Sequence, residues 1–125
     1  MKLSSLAKLF AGSLSASEVA SEIAEELAIH SRALGTRGSV APVQVAEDAD
    51  LFLDRAALSV LCRSFATGQL TAQELAYVVD VLQLSERVEF SGEDIATDLA
   101  ECTDPEINGP LSVARALEIA AGSRA

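Results

Sequence analysis

Apolar residues recur along most of this chain at intervals of three and four, the mark of helices that bury one face. Leu3, Leu6 and Phe10 form the first stripe and predict a helix from about Leu3 to Ala11. Val19, Ile23 and Leu27 form the second, with Ala20 and Ala24 beside them. That helix starts after Ser15 and ends near Leu34, with Gly35 as its stop, and its other side bears Glu18, Glu22, Glu25 and Glu26. A third helix carries Leu51, Leu58, Leu61 and Phe65 inward and stops at Gly68. Glu47, Asp48 and Asp50 crowd its expected N-terminus, where carboxylates suit the helix dipole. Leu75, Val78, Val79 and Leu82 mark a fourth helix; Tyr77 and Val81 make its opposite side apolar too, so it should be the most buried. A fifth, capped by Ser91, turns Ile95, Leu99 and Cys102 inward. The last, capped by Ser112 and ended by Gly122, turns Val113, Leu117 and Ala120 inward.

Three segments break this rhythm. Residues 35–45, G-T-R-G-S-V-A-P-V-Q-V, form the longest loop, in which Val43 to Val45 can at most add a short extended piece. Ser85 to Phe90 reads either as a helical turn or as a brief strand at Val88 to Phe90. T-D-P-E-I-N-G-P places Asp104 as a cap, Pro105 at the first helical position and Gly109 as a stop, hence a single turn inside a corner.

One stretch occurs twice. Gly12 to Ala20 reads G-S-L-S-A-S-E-V-A and Gly68 to Ala76 reads G-Q-L-T-A-Q-E-L-A, with seven of nine positions identical or conservatively exchanged. A glycine in the left-handed conformation ends one helix. Ser15 or Thr71 then caps the next, and Glu18 or Glu74 reaches back to complete a capping box, with Leu14 or Leu70 placed as a hydrophobic staple. The expected fold class is therefore all-α: a single domain over residues 1–125, a bundle of five to six helices built on two helix–corner–helix repeats.

Composition sharpens this. Half of the 125 residues are apolar but only 4% are aromatic and Trp is absent, which favours close-packed helices over a β-sandwich. The formal charge of −10 argues against nucleic acid and anionic membranes as partners and suits a basic one. Cys62 and Cys102 lie in apolar helical contexts without metal-ligand spacing, so free buried thiols in a reducing cytoplasm are expected. Lys8 interrupts the apolar N-terminal run, which leads into a capping box and reads as a helix rather than a signal peptide. No run approaches the roughly 20 apolar residues that span a bilayer.

Candidate chemistry is sparse. His30 is the sole histidine, without serine, cysteine and carboxylate arranged about it, and reads as a surface or helix-end residue. G-T-R-G lacks the strand before and helix after that a phosphate loop requires. No cofactor, metal site or enzymatic activity is expected. Arg63 to Glu74 does share the frame of a calcium loop, with Gly68 sixth and Glu74 twelfth; so does Ala7 to Glu18. Calcium also needs oxygen ligands at the first, third and fifth positions, occupied here by Arg63, Phe65 and Thr67 or by Ala7, Leu9 and Ala11. The corner chemistry accounts for the same residues without a cation.

Carboxylate patterning remains. Asp94, Asp98 and Glu101 line one face of the fifth helix, away from Ile95 and Leu99. Glu86, Glu89 and Glu93 extend the charge upstream, with Arg87 the nearby basic residue in sequence. Such a face reads as solvated and self-repelling, so that a partner presenting Lys and Arg would relieve it. Glu22 and Glu26 give a second acidic face. The candidate partner-binding set is thus Asp94, Asp98, Glu101, Glu89, Glu93, Glu22 and Glu26.

Ser5 to Ile23, S-L-A-K-L-F-A-G-S-L-S-A-S-E-V-A-S-E-I, resembles the opening of colicin D-type immunity proteins and related bacterial toxin-immunity proteins, in which L-A-K-L-F leads into a Ser/Thr–Ala–x–Glu corner. The resemblance covers about a sixth of the chain and nothing from Phe90 onward. It implies a cytoplasmic bacterial protein that occludes the active site of a basic nuclease toxin, typically tRNA-cleaving, its carboxylates standing in for substrate phosphates. The toxin would be of the bacteriocin or contact-dependent growth-inhibition kind. The competing expectation is a helical adaptor or homodimerisation module whose acidic faces only confer solubility; a calcium-free EF-hand-like regulator is the third.

Overall fold

In the computed structural model, which describes residues 1–34, 43–103 and 109–122, six helices carry the fold. They are α1 Leu3–Phe10, α2 Ala16–Leu34, α3 Arg55–Ala66, α4 Ala72–Leu84, α5 Glu93–Glu101 and α6 Val113–Ala121. Two three-residue strands, β1 Leu51–Leu53 and β2 Val88–Phe90, are the minor component of a predominantly helical bundle. The single turn expected at Asp104 and Pro105, and the stop at Gly35, lie outside the described residues.

The repeated stretch forms the same corner twice, bond for bond. After α1, Gly12 adopts φ 81° and donates to Leu9, while the amides of Ser13 and Leu14 both donate to the Lys8 carbonyl. After α3, Gly68 adopts φ 82° and donates to Phe65, while Gln69 and Leu70 both donate to Ser64. Any side chain at either glycine would be forced into the left-handed region. Each following helix opens with the expected capping box. Glu74 N donates to Thr71 Oγ1 at 3.1 Å and Thr71 N to Glu74 Oε1 at 2.7 Å. Glu18 N donates to Ser15 Oγ at 3.1 Å, with the return bond from Ser15 N at 3.4 Å.

Around each corner the chain closes in the same sense. Lys2 and Ala46 form an isolated parallel bridge across α1 and α2. Across α3 and α4, β1 and β2 pair in parallel, with Leu51, Phe52 and Leu53 opposite Val88, Glu89 and Phe90. The ambiguity at Ser85 to Phe90 resolves as a strand.

Three local expectations are corrected. The third helix does not begin among Glu47, Asp48 and Asp50: Leu51 belongs to β1, and Asp54 is the N-cap, its carboxylate accepting from Ala57 N at 2.9 Å. The acidic trio instead braces other elements. Asp48 accepts from Ser4 N at 2.9 Å and Ser4 Oγ at 2.7 Å, capping α1 from a distance. Glu47 accepts from Ser85 Oγ and Glu86 N, both at 2.8 Å, and Asp50 from Arg87 Nε at 2.8 Å. Helix α5 is capped at Gly92 rather than Ser91, whose amide donates to the Leu53 carbonyl and extends the ladder. On α6, capped by Ser112 and ended by Gly122 as expected, the inward residues are Ala116, Ile119 and Ala120; Val113 and Leu117 face outward.

One apolar cluster draws on every helix and on β1. Leu58 and Leu61 of α3, Leu75, Val78, Val79 and Leu82 of α4, and Val19 and Ile23 of α2 are within it. Each such buried side chain stabilises the fold by about 1.5–3 kcal/mol. Helix α4 is apolar on both sides, as its sequence requires, and Tyr77 is buried with its hydroxyl accepting from Gln44 N at 3.1 Å. His30 is buried too, contrary to a surface placement: its ring packs edge-on against Tyr77 with centroids 5.2 Å apart.

Candidate partner-binding surface

The seven candidate carboxylates do not form one surface. Asp98, read from sequence as solvated, is buried, because α5 lays this face against α3 and α6. Arg55 Nη1 donates to Asp98 Oδ2 at 2.8 Å and to the Ile119 carbonyl at 3.0 Å, while Nη2 reaches Asp94 Oδ2 at 3.1 Å. Glu101 pairs in a fork with Arg115, at 2.5 Å from Nε and 2.9 Å from Nη2. Arg115 holds the Glu101 carboxyl below its ordinary range, and Asp98 raises the Arg55 guanidinium. The supposed self-repelling face is therefore a set of ion pairs joining three helices.

Glu22 and Glu26 are engaged at the other end of the molecule. Glu26 pairs with the buried Met1 ammonium at 2.7 Å, and that ammonium also donates to the Gln44 carbonyl at 2.6 Å. Glu22 accepts from Ser5 Oγ at 2.6 Å. Both line an open cleft with Met1, Lys2, Gln44 and Ala46, where α2 meets the segment bridged to Lys2. These bonds fix α1 to α2.

Glu89 and Glu93 stand differently. Glu89 is exposed at the centre of β2, and its register partner on β1 is Phe52, 58% exposed. Residues paired across a ladder project from the same face, so an aromatic ring and a carboxylate stand together in solvent. Leu51 and Leu53 point the other way and are buried, which fixes the orientation. Glu86, just before β2, and Glu93, at the start of α5, are exposed on either side in sequence. Among the described residues, none of these three glutamate side chains makes an ion pair. The neighbouring Arg87 is drawn away by Asp50 and by the Glu47 carbonyl at 2.6 Å.

Glu89 and Glu93 are in the set expected from sequence; Phe52 is not, because the stripe through Leu51 and Leu58 places it in a helix. L-F-L between Asp50 and Asp54 is a short unbroken apolar run that fits a brief strand as well as a helical turn, so sequence periodicity does not single Phe52 out. Glu86 was noticed for its charge alone.

An exposed aromatic ring paired with a carboxylate, with two more exposed carboxylates nearby in sequence, can receive a Lys- or Arg-bearing protein surface, the ring giving contact area and the charges giving orientation. No His/Cys/Asp/Glu group suited to a metal ion occurs among the described residues, and no described helix is long and apolar enough to cross a membrane. Comparison with known proteins finds no matching family, no matching curated protein and no matching solved structure.

Proposed function

We propose that this chain is a non-catalytic binding protein that captures a basic protein domain on the face formed by Phe52, Glu89, Glu86 and Glu93. The observation that carries the reading is Phe52, an aromatic side chain held out by a two-stranded sheet opposite Glu89, a carboxylate that makes no ion pair among the described residues. The net charge of −10 favours a basic partner. The resemblance of Ser5 to Ile23 to colicin D-type immunity proteins gives the finer form: an immunity protein that occludes a nuclease toxin, typically one that cleaves tRNA. In that form Glu86, Glu89 and Glu93 stand in for substrate phosphates by pairing with the Lys and Arg of the nuclease cleft.

The test starts from the neighbouring gene. The reading frame immediately upstream should encode a large protein with a basic C-terminal domain, and co-expression of this chain should protect cells from that domain. Phe52→Ser combined with Glu89→Lys should abolish protection and slow association at low salt, while Asp94→Asn should not. Protection by the double variant equal to wild type would overturn the assignment of this face; no toxic neighbour would overturn the immunity reading.

A second reading has its own observation. Val113 and Leu117, one helical turn apart on α6, are 48% and 47% exposed. Such a stripe suits self-association of a homodimerisation module. Sedimentation equilibrium would decide it: a dimer dispersed by Leu117→Glu supports this reading, and a monomer at high concentration removes it.

A further inference from the structure

The two cysteines come from helices that are far apart in sequence, yet their sulfurs lie 4.0 Å apart inside the protein. Cys62 sits in the middle of α3 and is wholly buried; Cys102 follows the last turn of α5 and is 4% exposed. Neither sulfur is needed to satisfy a neighbour. Either S–H can donate across the pair, and the Cys102 S–H also reaches the Asp98 carbonyl at 3.5 Å.

We propose that Cys62 and Cys102 are an oxidation site, a thiol pair that a hydroperoxide closes to an intramolecular disulfide joining α3 to the end of α5.

The geometry needs little change. A disulfide bond is about 2.05 Å long, so the sulfurs must approach by about 2 Å. Most of that motion falls to Cys102. It lies where α5 ends, and its amide donates to Leu99 and that of Thr103 to Ala100, the tightened bonds of a helix end rather than of its interior. Cys62, inside α3, stays in place.

The roles of the two sulfurs differ. The Cys102 hydrogen bond lowers the Cys62 thiol from its ordinary value, and Arg55 acts in the same sense against burial. The same bond and burial raise Cys102. In the proposed sequence Cys62, on which Arg55 acts, makes the first attack, since the thiolate is the nucleophile. It attacks one oxygen of hydrogen peroxide: an S–O bond forms, the O–O bond breaks, and the leaving oxygen departs as water with the former Cys62 proton. The Cys62 sulfenic acid is then attacked by the Cys102 sulfur. The S–S bond forms, the S–O bond breaks, and the hydroxide leaves as a second water with the Cys102 proton. Two electrons pass from the sulfur pair to the peroxide. Peroxide is close to water in size, which suits thiols so nearly enclosed. This inference does not depend on the identity of any partner.

The experiment treats the full chain with hydrogen peroxide, unfolds it in an alkylating reagent and weighs it. Wild type should lose two hydrogens, take no alkyl group and remain monomeric, and a reductant should restore both reactive thiols. Cys102→Ser should accumulate a sulfenic acid at Cys62 that dimedone traps, whereas Cys62→Ser should give little dimedone adduct. Two alkylatable thiols after treatment, sulfinic acid without a bridge, or a bridge only between chains would overturn the proposal. The wild-type result stands even where a variant fails to fold.

Discussion

The carboxylates of α5 and those of β2 and its flanks are close in sequence and alike in charge, but the fold puts them to opposite uses. Asp94, Asp98 and Glu101 point at guanidinium groups brought from α3 and α6. Glu86, Glu89 and Glu93 are exposed to solvent, Glu89 beside Phe52. A count of charges treats the six alike. What separates them is whether a distant arginine is delivered to each, and that depends on packing. Arg55 is carried to Asp98 because it opens α3, directly after the Asp54 cap, and α3 lies alongside both α5 and α6. Among the described residues no element delivers an equivalent to Glu89, and the cation nearest it in sequence, Arg87, is held by Asp50.

Breaking the inward set should cost the most. Asp98→Ala leaves Arg55 partly desolvated without its main partner, and should destabilise the fold by about 3 kcal/mol, read from urea unfolding midpoints. Asp98→Lys should be worse, opposite to what a solvated face would give. Arg115→Ala removes a pair that is about a third exposed, and its cost should fall to about 0.5–1 kcal/mol. Acid should act gradually. Glu101, Asp48 and Glu47 all have carboxyls held low, by Arg115, by Ser4 and by Ser85 respectively. A group lowered in the folded state favours folding above its unfolded pKa and loses that effect as pH falls through the folded value. Thermal melting should therefore be level near neutrality and decline progressively below about pH 4. Glu89→Lys with Glu93→Lys should move stability by no more than about 0.5 kcal/mol. The same change should flatten the salt dependence of association with a basic partner, measured by stopped-flow mixing. A large loss of stability in that variant would show that the outward set is also structural.

How legible each part was follows from the range of the interactions that make it. The two corners are made by bonds between residues no more than six positions apart, so Gly68, Thr71 and Glu74 are legible directly, as are their counterparts in the first half. The start of α3 was misread because Leu51, Leu58, Leu61 and Phe65 fit one helical stripe, although Leu51 reaches the core from a strand. The inward face of α6 was misread for a related reason. Val113 and Leu117 are larger than Ala116 and Ala120, but the close approach of α6 to α3 leaves room only for the alanines and Ile119. The ion pairs of Arg55 reach from α3 to Asp94 and Asp98 on α5, 39 and 43 residues along the chain, and no local pattern announces them. Phe52 lies in an unbroken apolar run, and its outward placement follows only from the pairing of β1 with β2.

The parallel pairing of β1 with β2 also bears on the order in which the molecule assembles. A parallel ladder cannot be closed by a tight turn; two whole helices must form and dock before Leu51 meets Val88. Contacts of such wide sequence separation carry their loop-closure entropy before they gain anything, whereas the corners form among neighbours within the chain. The corners should belong to the folding nucleus and the ladder to its final stage. In rate terms, Gly68→Ala should slow refolding with little change in unfolding, and Val88→Ala should speed unfolding with little change in refolding. The surface that bears Phe52 and Glu89 would then be the last part of the molecule to take shape.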